Sequence, residues 1–251
     1  MLRDRFFVQG VHYLGDRVEL APDDARKIVL VLRKTTGDRV QIVDSAGISF
    51  AAKLDIEERV VHATLDQILE RGERGERGER ESSARITIAQ AIPKGTKMDL
   101  IIEKATELGA SDIVPLRSDR VVGERTGEHK AERWQRIAKS AAQQSGRTHV
   151  PTVAPIADWD ALVATFKDYE RVYIPWELAE VKPLREIFES EAREARSILI
   201  IVGPEGGFSS GEVKRAVKAG AVPISLGTRI LRTETVALVV LSALMYERDE
   251  L

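Results

Sequence analysis

Residues Leu226–Leu238 read LGTRILRTETVAL. A strand end gives way to a tight polar loop, and the loop to the start of a very apolar helix. Gly203–Ser209, GPEGGFS, has the same placement earlier in the chain, between a strand and a helix. Two backbone-rich loops at the ends of adjacent strands are expected to hold a small flat ligand through main-chain N–H and C=O groups. Ligands of open α/β sheets bind beyond the carboxyl ends of the strands. Ser197–Val202, SILIIV, leads into the first loop and is apolar almost throughout. Such a strand is expected to be buried on both faces, as parallel strands are.

Outward from these loops, the chain alternates strand and helix back to Ala84. Ile86–Ala91, Ile113–Leu116, Arg171–Ile174, Ser197–Val202 and Val222–Leu226 read as strands. Met98, Ile101, Ile102, Ala105 and Leu108 fall at helical spacing behind Thr96–Asp99, which has the spacing of a capping box, and Gly109 closes that helix. Lys130–Gln144, Asp158–Phe166 and Pro183–Glu194 are further helices, and Ser209–Glu212 is a second capping box whose helix stops at Gly220. Repeated β-α units predict an α/β fold with a mostly parallel sheet. The last helix, Glu234–Tyr246, is apolar on nearly every side, which requires burial all round and suggests packing against a second subunit.

Residues 1–70 carry a different rhythm. Short strand signals at Arg5–Val8, Val18–Leu20, Arg39–Val43, Ile48–Leu54 and Val60–Leu65 alternate with turns, and one helix starts at Pro22-Asp23-Asp24. This pattern predicts a small barrel. Arg71–Glu81, RGERGERGERE, has no apolar residue and reads as a linker or long loop. The expected division is 1–70, a linker over 71–83, and 84–251.

Composition narrows the function. The chain has no cysteine, so disulfides and thiolate metal sites are excluded, and its four histidines are scattered, so no metal site is expected. The longest apolar run, Val236–Met245, is too short to span a bilayer. No secretory signal pattern opens the chain, and a soluble cytoplasmic protein without a membrane partner is expected. A net charge of −2 does not argue for nucleic acid. Charge is local instead. Residues 113–150 hold eight bases (Arg117, Arg120, Arg125, Lys130, Arg133, Arg136, Lys139, Arg147) against four acids, a balance of +4. Arg3, Arg5, Arg26, Lys27, Arg33 and Lys34 add a second basic group, and the two together could face one nucleic acid.

GPEGGFS lacks the Lys-Ser/Thr of a P-loop and the G-x-G-x-x-G of a dinucleotide fold. Gly203, Gly206 and Gly207 permit close backbone approach, which suits a ligand cradle or simply a tight turn. In the later loop, Arg229 and Arg232 offer planar donors to an anion or base edge. Thr233 has the chemistry of an N-cap for the last helix, and Glu234 suits its dipole.

GPEGGFS and LGTRILRTETVAL, taken together at this spacing, resemble the SPOUT superfamily of knotted methyltransferases. Within it the chain is similar to the RsmE family, which methylates N3 of a uridine in 16S rRNA of the small ribosomal subunit. KGTKMDLIIEKATELG (94–109), PLRSDR (115–120), RWQRIAKSAAQQSGR (133–147), RFFV near the start and VLRKTTGD (31–38) follow that family's pattern in order. The Gly-Glu-Arg stretch departs from it.

The resemblance implies a C-terminal SPOUT domain with a deep trefoil knot, a PUA-like RNA-binding barrel before it, and a homodimer with each active site near the subunit interface. S-adenosylmethionine is the implied cofactor. Its implied contacts are Ile174, Pro175 and Trp176; Val202, Gly203, Pro204, Glu205, Gly206 and Gly207; and Leu226, Gly227, Ile230, Leu231, Arg232, Thr233, Thr235 and Ala237. Arg3, Arg5, Arg33, Lys34, Arg117, Arg120, Arg136 and Arg147 are the expected RNA contacts. Uracil N3 attacks well only as an anion whose charge spreads onto O2 and O4. Arg232 is therefore expected as the catalytic group and Arg229 as a positioning one. Glu103, Lys104, Glu205 and Glu234 are the candidate bases, and none is convincing. Two rivals stay open: a SPOUT methyltransferase for another RNA site, and a non-catalytic RNA-binding factor for ribosome assembly.

Overall fold

The structure, a computed structural model, describes residues 4–58, 60–70, 81–120, 128–177 and 184–251. Arg3, Arg125, Pro183 and the Gly-Glu-Arg stretch over 71–80 lie outside the described residues. Two compact units result: Met1–Glu81 with Ala142–His149, and Ser82–Ala141 with Val150–Leu251.

In the first unit, β1 (Arg5–Phe7), β2 (Arg17–Glu19), β3 (Arg39–Val43), β4 (Ser49–Glu57) and β5 (Val60–Glu70) form one sheet in the order β1-β3-β4-β5-β2. β1 runs parallel to β3 and the other pairs are antiparallel. β1 and β2 are the two edges, and this mixed sheet is a half-barrel where the sequence predicts a small barrel. The alternation in β3 and β4 sends Val40, Ile42, Phe50, Ala52 and Leu54 into one core with Phe6, Leu65 and Ile28. Ile28 comes from a helical segment that begins as α1 (Pro22–Arg26) and widens to π-helical geometry over Lys27–Val31.

Residues 142–149 join this unit because its polar groups hold them. Arg5 is buried and donates through Nη1 to the carbonyls of Gly146 and Arg147, and through Nε to Gln41 Oε1 at 2.9 Å. Arg147 is buried too and forms a two-point pair with Glu81, donating through Nε at 3.1 Å and Nη2 at 2.5 Å to Oε2. Glu81 Oε1 also accepts from the backbone N–H groups of Thr148 and His149. Gln143 donates to Asp24 at 2.9 Å and accepts from Lys27 at 3.0 Å.

The second unit is built on a seven-stranded parallel sheet, six of whose strands form its main path. They are β6 (Arg85–Ala91), β7 (Asp112–Arg117), β8 (Thr152–Val153), β10 (Arg171–Pro175), β11 (Ser197–Val202) and β12 (Val222–Ile224), in the order β12-β10-β11-β6-β7-β8. The short β9 (Ala157–Asp158) pairs with the end of β7. α2 (Lys97–Glu107), α3 (Glu128–Ser145), α4 (Trp159–Ala164), α5 (Leu184–Ile187), α6 (Ser210–Lys218) and α7 (Thr233–Glu247) complete the β-α alternation. β11 is buried on both faces, as its sequence required. Ile198, Ile200 and Val202 enter a core with Met98, Ile101, Val240 and Leu244, while Leu199 and Ile201 enter another with Trp159, Phe208 and Val213.

Three local expectations change. Thr96 stands at the N-cap of α2 but makes no side-chain cap; the Asp99 carboxylate pairs with Arg133 instead. Ser209 and Glu212 do form the predicted capping box. α7 is not buried all round within the chain: Thr233, Ala237, Val240, Leu241, Leu244 and Met245 face inward, while Val239 and Tyr246 stay 37% and 75% exposed. Among the described residues no helix is long and apolar enough to cross a membrane, and no cluster of His, Asp and Glu suits a metal ion.

Candidate active site

The two loops read from sequence leave β11 and β12, which are not adjacent: β10 lies between them and pairs with both. Pro175 stands opposite Ile224, and the Trp176 N–H donates to the Ile224 carbonyl at 2.9 Å. Ile174-Pro175-Trp176 therefore sits at the end of the strand between the two loops. On the far side of β11, Val202 stands opposite Gln90 of β6.

The first loop is a tight turn, closed by the Gly207 N–H donating to the Pro204 carbonyl at 2.9 Å. Gly207 has φ +64°, a conformation that disfavours any residue with a Cβ, and a Cβ there would come within 3.4 Å of Glu177 Oε1. A Cβ at Gly203 would meet the Phe208 ring at 3.4 Å. Both contacts are ordinary van der Waals distances, so it is the positive φ of Gly207, not crowding, that calls for glycine there. Arg120 donates to the Gly206 carbonyl at 2.7 Å and holds the outer side of the turn. Behind it, Glu212 is fully buried and accepts from the Ser209 and Asp119 N–H groups at 2.7 and 2.9 Å.

The second loop, 225–232, ends where α7 begins. Arg232, not Thr233, is the N-cap residue, and it caps with no side-chain bond. The expected capping role of Thr233 is therefore replaced by another. Its hydroxyl donates to the Gly203 carbonyl at 2.5 Å and accepts from Gln90 Nε2 at 2.9 Å. One buried hydroxyl ties the start of α7 to both the first loop and β6. Ala237, one turn further on, is fully buried in the core, and Thr235 is partly exposed.

Lys97 joins three elements. Its ammonium donates to Glu205 Oε1 at 2.8 Å and lies 3.8 Å from Glu234 Oε2. Burial alone would raise the Glu205 carboxyl. The hydrogen bonds from Lys97 and from main-chain N–H groups, Lys94 among them, outweigh it and hold the carboxyl below the usual range. The same bond to Glu205 raises the Lys97 ammonium. Glu103 pairs with Lys104 at 2.7 Å. Of the groups weighed as bases, Glu234 alone keeps a buried carboxylate oxygen with no hydrogen-bond partner among the described residues.

Arg229, Ile230 and Arg232 are exposed, Ile230 at 91% and the Arg232 side chain at 84%. Among the described residues Arg232 pairs only with Glu234, at 3.9 Å. Gly227, at φ +95°, turns the chain ahead of them, and Leu226 and Leu231 are partly exposed. The expected RNA contacts fare unevenly. Arg5 and Arg147 are buried and bound as described, which removes them from any nucleic-acid surface. Lys34 pairs with Asp4 at 2.8 Å, and Arg117 with Asp158 at 2.5 Å. Arg120 is exposed but belongs to the first loop. Arg33, which has φ +52°, and Arg136 are exposed. Gln90, Lys97, Asp119 and Glu177 are not legible as site residues in the sequence, and Glu212 is legible there only as part of a capping box. Only Gln90 carried a signal, as a lone amide inside the apolar run IAQAI.

The family description that matches this chain is an RNA methyltransferase domain, over residues 80–245. Along nearly its whole length the chain is 32% identical to the Ribosomal RNA small subunit methyltransferase E of Bacillus subtilis (strain 168), covering 98% of this chain and 97% of that one. The chain belongs to the ribosomal RNA small subunit methyltransferase E family. A family member from Synechocystis sp. is 33% identical over 86% of this chain and 69% of its own length. The family also has a crystal structure from Neisseria gonorrhoeae, bound to S-adenosyl methionine. It superposes with a TM-score of 0.83 at 29% identity and covers 97% of each chain. The family match takes in the whole parallel sheet and both loops.

Proposed function

We propose that this chain methylates N3 of a uridine in 16S rRNA of the small ribosomal subunit, with S-adenosylmethionine as donor. The observation that carries the reading is the convergence of three strand ends, Pro175–Trp176, Val202–Gly207 and Ile224–Arg232, with two exposed arginines on the last of them. The first turn suits the cofactor because Thr233 and Arg120 hold its Gly203 and Gly206 carbonyls in fixed directions. When bound, the cofactor supplies an electrophilic methyl group on a sulfonium.

The chain's own residues do the rest. Ile174, Pro175, Trp176, Gly203–Gly207 and Leu226–Ala237 would hold the flat and charged parts of the cofactor. Arg232 stabilises the negative charge on the uracil carbonyl oxygens as the N3 proton passes to solvent water, and Arg229 positions the base. In the same reading residues 1–70 act as a PUA-like RNA-binding domain with Arg33 on its surface, and 84–251 as a SPOUT domain threaded into a trefoil knot. The placement of β11, late in the chain yet between β6 and β10, supports such threading.

Two measurements test this. Calorimetry should show S-adenosylmethionine binding with one site per chain. Mass spectrometry of 16S rRNA from cells lacking the gene should show the loss of one N3-methylated uridine. Unchanged rRNA from those cells would overturn the assignment.

We further take the working form to be a homodimer. Val239, Tyr246 and Ile230 form an exposed apolar set on and beside α7, a helix whose sequence calls for full burial. Sedimentation is expected to give twice the chain mass of 27.9 kDa, and Val239→Asp to shift the protein toward monomer with loss of methylation. A wild-type monomer at micromolar concentration would rule the dimer out.

A further inference from the structure

Gln90 is fully buried in the most protected strand of the sheet, and nothing in a core of Ile86, Ile88, Ala89 and Ala91 calls for an amide. Its Nε2 donates twice, to the Ala91 carbonyl at 2.9 Å and to Thr233 Oγ1 at 2.9 Å. The Thr233 hydroxyl has a single hydrogen, which goes to the Gly203 carbonyl at 2.5 Å. Thr233 must therefore accept from Gln90, and this fixes which end of the amide is nitrogen. The other end, Oε1, is buried with no hydrogen-bond partner among the described residues.

An unpaired buried acceptor costs stability, and an apolar side chain of the same size would avoid that cost. The benefit must then lie in what the amide orients. The donor chain runs Gln90 to Thr233 to Gly203, and each bond polarises the next. It starts in β6, passes through the first residue of α7 and ends on the carbonyl that opens the turn after β11. The Gly203 carbonyl belongs to the peptide bond with Pro204, whose ring fixes φ on that side; ψ of Gly203, which has no Cβ, is the torsion that the hydrogen bond restrains.

We propose that Gln90 is a positioning residue: acting through Thr233, it sets the direction of the Gly203 peptide and so the shape of the cofactor cradle. This rests on the reading that the Gly203–Gly207 turn holds S-adenosylmethionine.

The test compares Gln90→Met, Thr233→Val and Thr233→Ser in the full-length protein. Each variant is assayed for S-adenosylmethionine affinity by calorimetry, for kcat and KM, and for thermal midpoint. Gln90→Met is expected to keep or raise the midpoint while weakening cofactor affinity about tenfold, with the change in KM exceeding that in kcat. Thr233→Val should weaken affinity similarly, and Thr233→Ser, which keeps the hydroxyl, should restore it. Affinity within twofold of wild type in both Gln90→Met and Thr233→Val overturns the proposal. So does a Gln90→Met midpoint that falls with affinity unchanged, which marks a purely structural amide. Wild-type protein that takes up no S-adenosylmethionine is a separate result and overturns the cofactor reading beneath it.

Discussion

Arg232→Ala is expected to lower kcat by roughly 10²–10³, the usual effect of removing one preorganised donor from a developing oxyanion. The affinity for S-adenosylmethionine should stay within about twofold, since the loop is read as holding the cofactor through main-chain groups, which alanine keeps, and α7 is capped by the Arg232 backbone and not by its side chain. The side chain is 84% exposed, and its one ion pair among the described residues, with Glu234, is long at 3.9 Å, so its removal costs little burial and a weak contact. The fold should therefore survive, and the thermal midpoint should not move. Arg229→Ala, in the same loop and also exposed, is expected to raise KM for RNA more than it lowers kcat. Single-turnover methylation of small ribosomal subunits separates the two. Normal turnover by Arg232→Ala on intact subunits would remove Arg232 from the reaction.

The second large effect is on stability and lies in the first unit. Arg147→Ala is expected to cost about 3–5 kcal/mol, the range for breaking one side of a buried ion pair. Both side chains of the pair are 3% exposed, and Glu81 would lose its two-point partner while keeping, among the described residues, the N–H groups of Thr148 and His149. For a chain of this size that corresponds to a drop in melting temperature on the order of ten degrees. Removing both charges at once, as Glu81→Leu with Arg147→Leu, should recover much of the loss, because no uncompensated charge then remains. Calorimetric melting of the single and double variants checks this. A double variant no more stable than Arg147→Ala would show that the pair is not the source of the effect.

Arg147 also shows where sequence reading stopped. By residue type it belonged to a basic stretch suited to phosphate, and nothing nearby in the chain offered a partner. Its partner, Glu81, lies 66 positions away at the end of the Gly-Glu-Arg stretch. Arg5 was misread for the same reason: its acceptors are carbonyls 141 and 142 positions distant. Thr233 is a subtler case. Its type and place suit a cap, but the acceptor that claims its hydroxyl is Gly203, on a different loop.

The alternation of strands and helices from residue 84, the double burial of Ser197–Val202, the capping box at Ser209 and the position of both loops at strand ends all followed from the chain alone. Each depends on neighbours within a few residues, where periodicity and turn chemistry operate. The insertion of β10 between the two loop-bearing strands, the open edges of the first sheet, the burial of Arg5 and Arg147, and the bonds joining Gln90, Thr233 and Gly203 were settled only by the tertiary structure. These depend on which distant segments meet, and residue types along a chain do not encode the partner of a side chain that bonds across the fold.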